Sequence, residues 1–287
     1  MTQPVIAGVD GSARAVEAAR FAADEARRRG APLHLVTVVP WPYDGLVAPP
    51  PDVDLPAVVQ ESGEAVVGSA AAAVAASDVT TSVRDGDPVT VLTELSADAQ
   101  LLVLGSRGIG GVAGLLLGSA ASGVVAHARC PVVVLPDDAA VVMRGRRSVV
   151  VGVAGRPDDD EVLAIAFAEA AARGTDLIAV HAWQDVVLEP ELRTVSPLVD
   201  WAGVLADEER ALAEAMAGWR EKEPDVLVRE LVVRDRPARA LVAASLTAEL
   251  LVVGHRSRRA LGSTTHGVLH RAGCPVVVVP LTPGGKR

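Results

Sequence analysis

A chain of 287 residues is longer than one small domain needs and is expected to divide into two. Its formal net charge of −9 offers no basic field to a nucleic acid or an anionic membrane, so both are excluded as expected partners, while a single bound nucleotide stays compatible. Half of the residues are hydrophobic but only 2% are aromatic, so the apolar content lies in Ala, Val and Leu, which suits alanine-rich helices and valine-rich strands in an α/β arrangement.

Residues 5–9 are an apolar run ending at Asp10-Gly11-Ser12, as a buried parallel strand feeding a helix does. Ser12 is placed to cap a helix over 13–29, which keeps Val16, Ala19, Phe21 and Ala23 among charges and stops at Gly30. A second strand follows at 33–39, then a proline-dense loop at 40–56 and a long helix at 57–76. The third strand is expected at 80–83, a short helix at 89–97 and the fourth strand at 101–104. A Gly-rich loop spans 105–118, with a last helix at 119–128 and a last strand at 132–135. Residues 137–147 read as a linker, after which the cycle repeats over 149–280 and ends in a tail at 284–287. Strands alternating with helices imply a mostly parallel sheet. No apolar run reaches the roughly 18 residues of a membrane span, and no signal peptide precedes the first strand, so a cytoplasmic protein is expected.

The repeat is explicit. Residues 117–136 (LGSAASGVVAHARCPVVVLP) and 261–280 (LGSTTHGVLHRAGCPVVVVP) agree at 12 of 20 positions without a gap. At the same offset of 144, VIAGVDGS from Val5 faces VVVGVAGR from Val149. Two copies of one fold follow. Between these ends the offset is 149, setting Pro88 against Pro237 and Gly105 against Gly254. The second copy has therefore lost five residues between Gly254 and Gly262. Cys130 and Cys274 mark equivalent places and lack flanking His, Asp or Lys, so they read as buried, inert thiols rather than a disulfide or nucleophiles.

The chemistry is expected after the fourth strand, where Gly105, Gly108, Gly118 and Ser119 stand in the spacing Gly-x2-Gly-x9-Gly-Ser. A phosphate chain needs several converging backbone N–H groups, and a Cβ would obstruct that approach. Gly118 and Ser119 also open a helix, whose amino end favours an anion. Glycines alone would equally suit a flexible surface loop. With Val9-Asp10-Gly11-Ser12 after strand one and Cys130-Pro131-Val132-Val133-Val134 at the end, the pattern resembles the universal stress protein family over almost the whole chain, twice. AVHAWQDV from Ala179 and VVRDRPARALV from Val232 resemble the C-terminal unit of its tandem actinobacterial members.

That resemblance implies two tandem α/β domains, 1–138 and 147–282, each a five-stranded parallel sheet of order 3-2-1-4-5 with helices on both faces. It also implies ATP held across the ends of strands one and four, a topological switch point. By position, Asp10 would face the ribose or a bound Mg ion, Val38 would meet the adenine through its backbone, and Gly8 would allow close approach. Gly105, Gly108, Gly118 and Ser119 would hold phosphates, with Ser106, Arg107, Ile109, Gly110 and Gly111 filling the loop and Arg107 offsetting phosphate charge. Outside the resemblance, Asp10 also reads as a turn residue.

The second copy departs from the pattern. Ala154 replaces Asp10, Ser257 replaces Gly108, and four residues separate Ser257 from Gly262, so its site is expected to be lost; Arg256, Arg258 and Arg259 stand there instead. His266 and His270, four apart on one helix, could suit a metal but lack acidic or thiol neighbours, so a solvated or interface face is the plainer reading. His181 reads as a core or site-edge residue, the run Asp158–Glu161 as acids suited to a helix amino end, and Trp183 and Trp201 as anchors at a pocket edge or a partner surface. Trp41 and Trp219 are the other large anchors. The expected function is an ATP-binding, stress-responsive regulator acting through protein partners, non-enzymatic or hydrolysing slowly, since no Walker motif or general base is visible. An adenine-nucleotide hydrolase and a nucleotide-free scaffold are the alternatives. The resemblance also implies a homodimer and pairing of the short apolar strands 132–135 and 276–279, which an open sheet would leave at an edge.

Overall fold

The computed structural model describes residues 2–39, 54–74, 78–108, 117–136, 148–156, 158–183, 200–256 and 260–281. The chain forms two compact units, Met1–Ala140 with Ser257–Leu261, and Val141–Arg256 with Gly262–Arg287. Residues 40–53, the linker 137–147, the tail 284–287, Trp41, Ser257, Arg258 and Arg259 lie outside the described residues.

Unit 1 runs β1 (Val5–Gly8), α1 (Ala13–Arg29), β2 (Leu33–Val39), α2 (Leu55–Ala72), β3 (Val79–Asp85), α3 (Pro88–Leu95), β4 (Leu101–Gly105), α4 (Ser119–His127) and β5 (Val132–Leu135), with a 3-10 turn at Ser96–Asp98 before β4. The strand order is β3-β2-β1-β4-β5, and every pairing is parallel. The expected order 3-2-1-4-5 is therefore present. Helices α1 and α2 touch each other over one face, and α3 and α4 pack together over the other. Strands β1, β4 and β5 are almost wholly buried, which is why they read as continuous apolar runs; the edge strand β3 is half-exposed and polar.

Local signals set the helix ends. The Ser12 hydroxyl accepts the N–H of Ala15 at 3.1 Å, and Gly30 closes α1 in the left-handed region at φ 58°, where a glycine escapes the Cβ penalty. Asp54 caps α2 by accepting from the Ala57 amide at 3.2 Å, so this helix begins two residues before the expected start.

Unit 2 repeats the plan with β6 (Ser148–Val153), α5 (Asp159–Arg173), β7 (Asp176–Trp183), α6 (Trp201–Lys222), β8 (Val228–Arg234), α7 (Pro237–Ser245), β9 (Leu250–His255), α8 (Ser263–Arg271) and β10 (Val276–Pro280). Its order is β8-β7-β6-β9-β10, again parallel throughout. Cys130 and Cys274 are free and buried, and burial pushes the Cys130 thiol up to about 12.

Candidate functional site

In unit 1 the chain leaves β1 through a turn held by one carboxylate. Asp10 Oδ1 accepts the N–H of Ser12 at 3.0 Å while Gly11 takes φ 88°, a conformation that side chains rarely adopt. Asp10 therefore both makes the turn and stands at the carboxyl end of β1. A Cβ on Gly108 would fall on Asp10 Oδ2, so the glycine loop after β4 comes directly against that carboxylate. The buried Ser106 donates its N–H to the carbonyl of Leu135 at 2.8 Å and accepts the N–H of Gly118 at 2.7 Å. This closes the two ends of the loop and starts α4 at Ser119. No side chain caps α4 among the described residues, so the first amides of that helix end beside the loop.

The backbone of Val38 faces the same end of β1. Pro32 and Val36 give their carbonyls to Val5 and Val9 of the β1 side, at 2.9 and 2.8 Å, whereas Val39 gives its carbonyl to Gly86 beyond β3. Alternation then turns the N–H and C=O of Val38 towards the β1 side. The β1 pairing stops at Gly8↔Val36, so these groups face the space beyond the end of β1. Gly8 has a different reason to be glycine. Its Cβ would lie 2.7 Å from Leu104 Cδ2 and 3.2 Å from Leu92 Cδ1, so the space is taken by packing against β4 and α3. Ile109, Gly110 and Gly111 lie outside the described residues.

Two further features were not visible in the sequence. A cavity of about 290 Å³ opens between α1 and α2, with Val9, Gly11 and Val16 on one side and Ser62, Val66 and Ser69 on the other. Arg14 Cβ lies 3.2 Å from where a Gly105 Cβ would stand, and the Arg107 carbonyl 3.4 Å from it, which gathers two arginine-bearing positions at the end of β4. Arg14 also donates to Glu17 at 2.7 Å.

Unit 2 fills the same place with its own groups. Asp159 Oδ2 accepts the N–H groups of Ala154 and Arg156, at 2.9 and 2.8 Å. Burial still pushes the Asp159 carboxyl upward, against those donors. Arg256 forks onto Asp158, with Nη2 on Oδ1 at 2.8 Å and Nε on Oδ2, and this hydrogen-bonded pairing holds the Asp158 carboxyl below its usual range. The acids 158–159 thus hold a turn and a cation, a more specific task than matching a helix dipole. Pairing of β6 with β7 runs one residue further than in unit 1, to Val153↔His181. His181 is buried, with Nδ1 on the Val153 carbonyl and Nε2 on Glu208, each at 2.9 Å. Between α5 and α6, Leu212 and Met216 are buried and Trp219 stacks on Phe167 at 5.5 Å while donating to Asp160. Ring stacking and this hydrogen bond join α5 to α6.

Trp183 and Trp201 stack at 6.1 Å, with the Arg234 guanidinium 3.8 Å from the Trp201 ring centre. His266 and His270 are in ring contact at 4.2 Å, but no group of three or more His, Cys, Asp or Glu side chains able to hold a metal occurs among the described residues. A larger cavity of about 730 Å³ in unit 2 lies at the opposite, amino ends of the strands, beside Ser148, Asp176 and Glu249. Its charges are spent on one another, Asp176 on Arg229 and Glu249 on Arg173. No helix among the described residues is long and apolar enough to cross a membrane.

Comparison with known proteins agrees with this duplicated plan. The model of the universal stress protein family matches residues 1–136 and again 145–280. Universal stress protein Rv2005c of Mycobacterium tuberculosis is 41% identical over 293 residues, covering 96% of each chain. Universal stress protein Rv2623 of the same organism is 38% identical over 295 residues, covering 96% of this chain and 95% of the relative. Among solved structures, a universal stress protein from Archaeoglobus fulgidus has the same fold, with a TM-score of 0.71 at 20% identity, covering 97% of this chain and 96% of that one. The chain belongs to the universal stress protein family, as a member with two tandem domains.

Proposed function

We propose that unit 1 binds one ATP, that unit 2 binds none, and that the chain is a cytoplasmic regulator of the stress response whose nucleotide state changes its engagement of protein partners. The observation that carries this reading is the meeting of Asp10 with Gly108 across the ends of β1 and β4. A carboxylate set directly against the Gly108 backbone suits a ligand with a hydroxyl-bearing or metal-bearing part followed by an anionic tail. The backbone of Val38 would take the adenine edge, and Asp10 the ribose or Mg²⁺. The amides near Gly105, Ser106, Gly108, Gly118 and Ser119 would take the phosphates. Magnesium is commonly held by one or two carboxylates together with phosphates, so a single Asp10 fits it.

The reading is of a binding protein and assigns no catalytic step. Nucleotide released from denatured protein, identified by mass, tests it together with product analysis on labelled ATP. Adenine nucleotide recovered unchanged is the expected result. Rapid formation of ADP or AMP would favour a hydrolase instead, and failure to take up any nucleotide would favour a scaffold.

A further inference from the structure

Helix α8 is short but well anchored. Thr265, Val268 and Leu269 are buried, and a Cβ on Gly267 would stand 3.0 Å from Ala238 Cβ, so the helix lies tight against α7. His266 and His270 project from the rest of its surface, the first exposed and the second half-buried. Side chains four apart on a helix are neighbours, and here the two ring centres are 4.2 Å apart with the planes tilted by 38°. The chain has six histidines. Of the other four, His34 is bonded to Ser82, His127 to the Gly123 carbonyl and His181 to Val153 and Glu208, while His255 is buried. Among the described residues, no hydrogen bond or ion pair engages either ring of the α8 pair, so their nitrogens are not committed elsewhere in the protein. Burial, with the charges of His266 and Arg271, also lowers the pKa of His270, which favours the neutral imidazole that metal ions take.

We propose that His266 and His270 chelate one late first-row divalent cation, of the class of Zn²⁺, Ni²⁺ and Cu²⁺, through one ring nitrogen each. Such ions bond to imidazole at about 2.0–2.1 Å, so two nitrogens on one ion stand about 3 Å apart. Rings whose centres are already 4.2 Å apart reach that separation by side-chain rotation alone. The packed helix holds both ligands together before the ion arrives, which lowers the ordering cost of binding. Two protein ligands leave the remaining positions to water, so the site is open and its ion exchangeable, unlike a closed structural site. Mg²⁺, which prefers oxygen ligands, is not taken there. At the offset of 144, Ser122 and Ala126 stand in these places in unit 1, so the site belongs to unit 2 alone. It is independent of the nucleotide reading.

The test is calorimetric titration with NiCl₂ of the untagged full chain, stripped by chelator and free of nucleotide, in four forms: unchanged, His266→Gln, His270→Gln and His127→Gln. The unchanged chain should take one Ni²⁺. His266→Gln and His270→Gln should each weaken it by at least about tenfold, since even groups that only orient a ligand are worth that much. His127→Gln, at a histidine held by its own helix, should change it by less than about twofold. Thermal unfolding gives a second readout. Ni²⁺ should raise the midpoint of the unchanged chain, because the ion is held by the folded helix, and should not raise it in the two α8 variants. Mg²⁺ at the same concentration should not displace Ni²⁺. Circular dichroism checks each fold, and the exposed His266→Gln serves if His270→Gln unfolds the chain. No uptake of Ni²⁺ by the unchanged chain overturns the site, as does full affinity in a folded His266→Gln or His270→Gln form. An equal loss in His127→Gln would mean dispersed surface binding and also overturns it.

Discussion

Gly118 starts α4 at φ −70° and ψ 154°, angles open to any residue, and a Cβ there would make only ordinary contact, 3.4 Å from the Ser106 carbonyl. Gly118→Val should therefore fold normally, yet its branched side chain crowds the amides at the helix start. ATP affinity should fall by about a hundredfold or more, as expected when two charge-assisted bonds are lost. Calorimetric titration of a variant with unchanged circular dichroism checks this, and retained affinity would remove the loop from the site. Cys130 supports a pH prediction. Burial raises its thiol from 9.0 to about 12, so the folded state favours the neutral form. That contribution is complete below pH 9 and is lost as pH rises from 9 towards 12. Cys130→Ala should lose this part of the alkaline destabilisation, measured as urea midpoints above pH 9; equal pH slopes in both forms would contradict it. Asp10, Gly108 and Gly118 were legible because a motif with fixed spacing names them. The place of Arg14 was not, since no motif names it and only the fold sets its stem beside Gly105.

The turn between β6 and α5 depends on one side chain, Asp159, which takes the N–H groups of Ala154 and Arg156. Asp159→Ala leaves two amides without that acceptor in a partly buried turn. The loss should lie near the lower end of about 1–3 kcal/mol, because burying the carboxylate already offsets part of the gain. Urea unfolding of the full chain measures it, and a midpoint equal to that of the unchanged protein would refute the role. Element identity was legible throughout because the apolar runs of β1, β4 and β5 are buried on both faces and cannot read as anything else. Element ends were less so. Strand β3 spans Val79–Asp85 rather than 80–83, because an edge strand carrying Arg84 and Asp85 gives no apolar signal at its end. The end of α2 at Ala72 falls within an alanine run that offers no stop residue.

At the scale of the whole molecule, duplication is the strongest statement in the sequence, and the two units repeat it strand for strand. The departure of unit 2 from the pattern of unit 1 was half legible. The missing carboxylate at Ala154 and the shortened loop could be read directly, whereas the filling of the place by Asp158, Asp159, Arg256 and the buried His181 required coordinates. If two chains pair, as the family resemblance implies, light scattering should return twice the 29.5 kDa of one chain, and a mass of 29.5 kDa would contradict it. We propose one working nucleotide site, in unit 1, and equilibrium dialysis of the purified chain against labelled ATP counts it. One ATP per chain is expected, abolished by Gly118→Val; two per chain, or one that survives Gly118→Val, would refute a single site in unit 1.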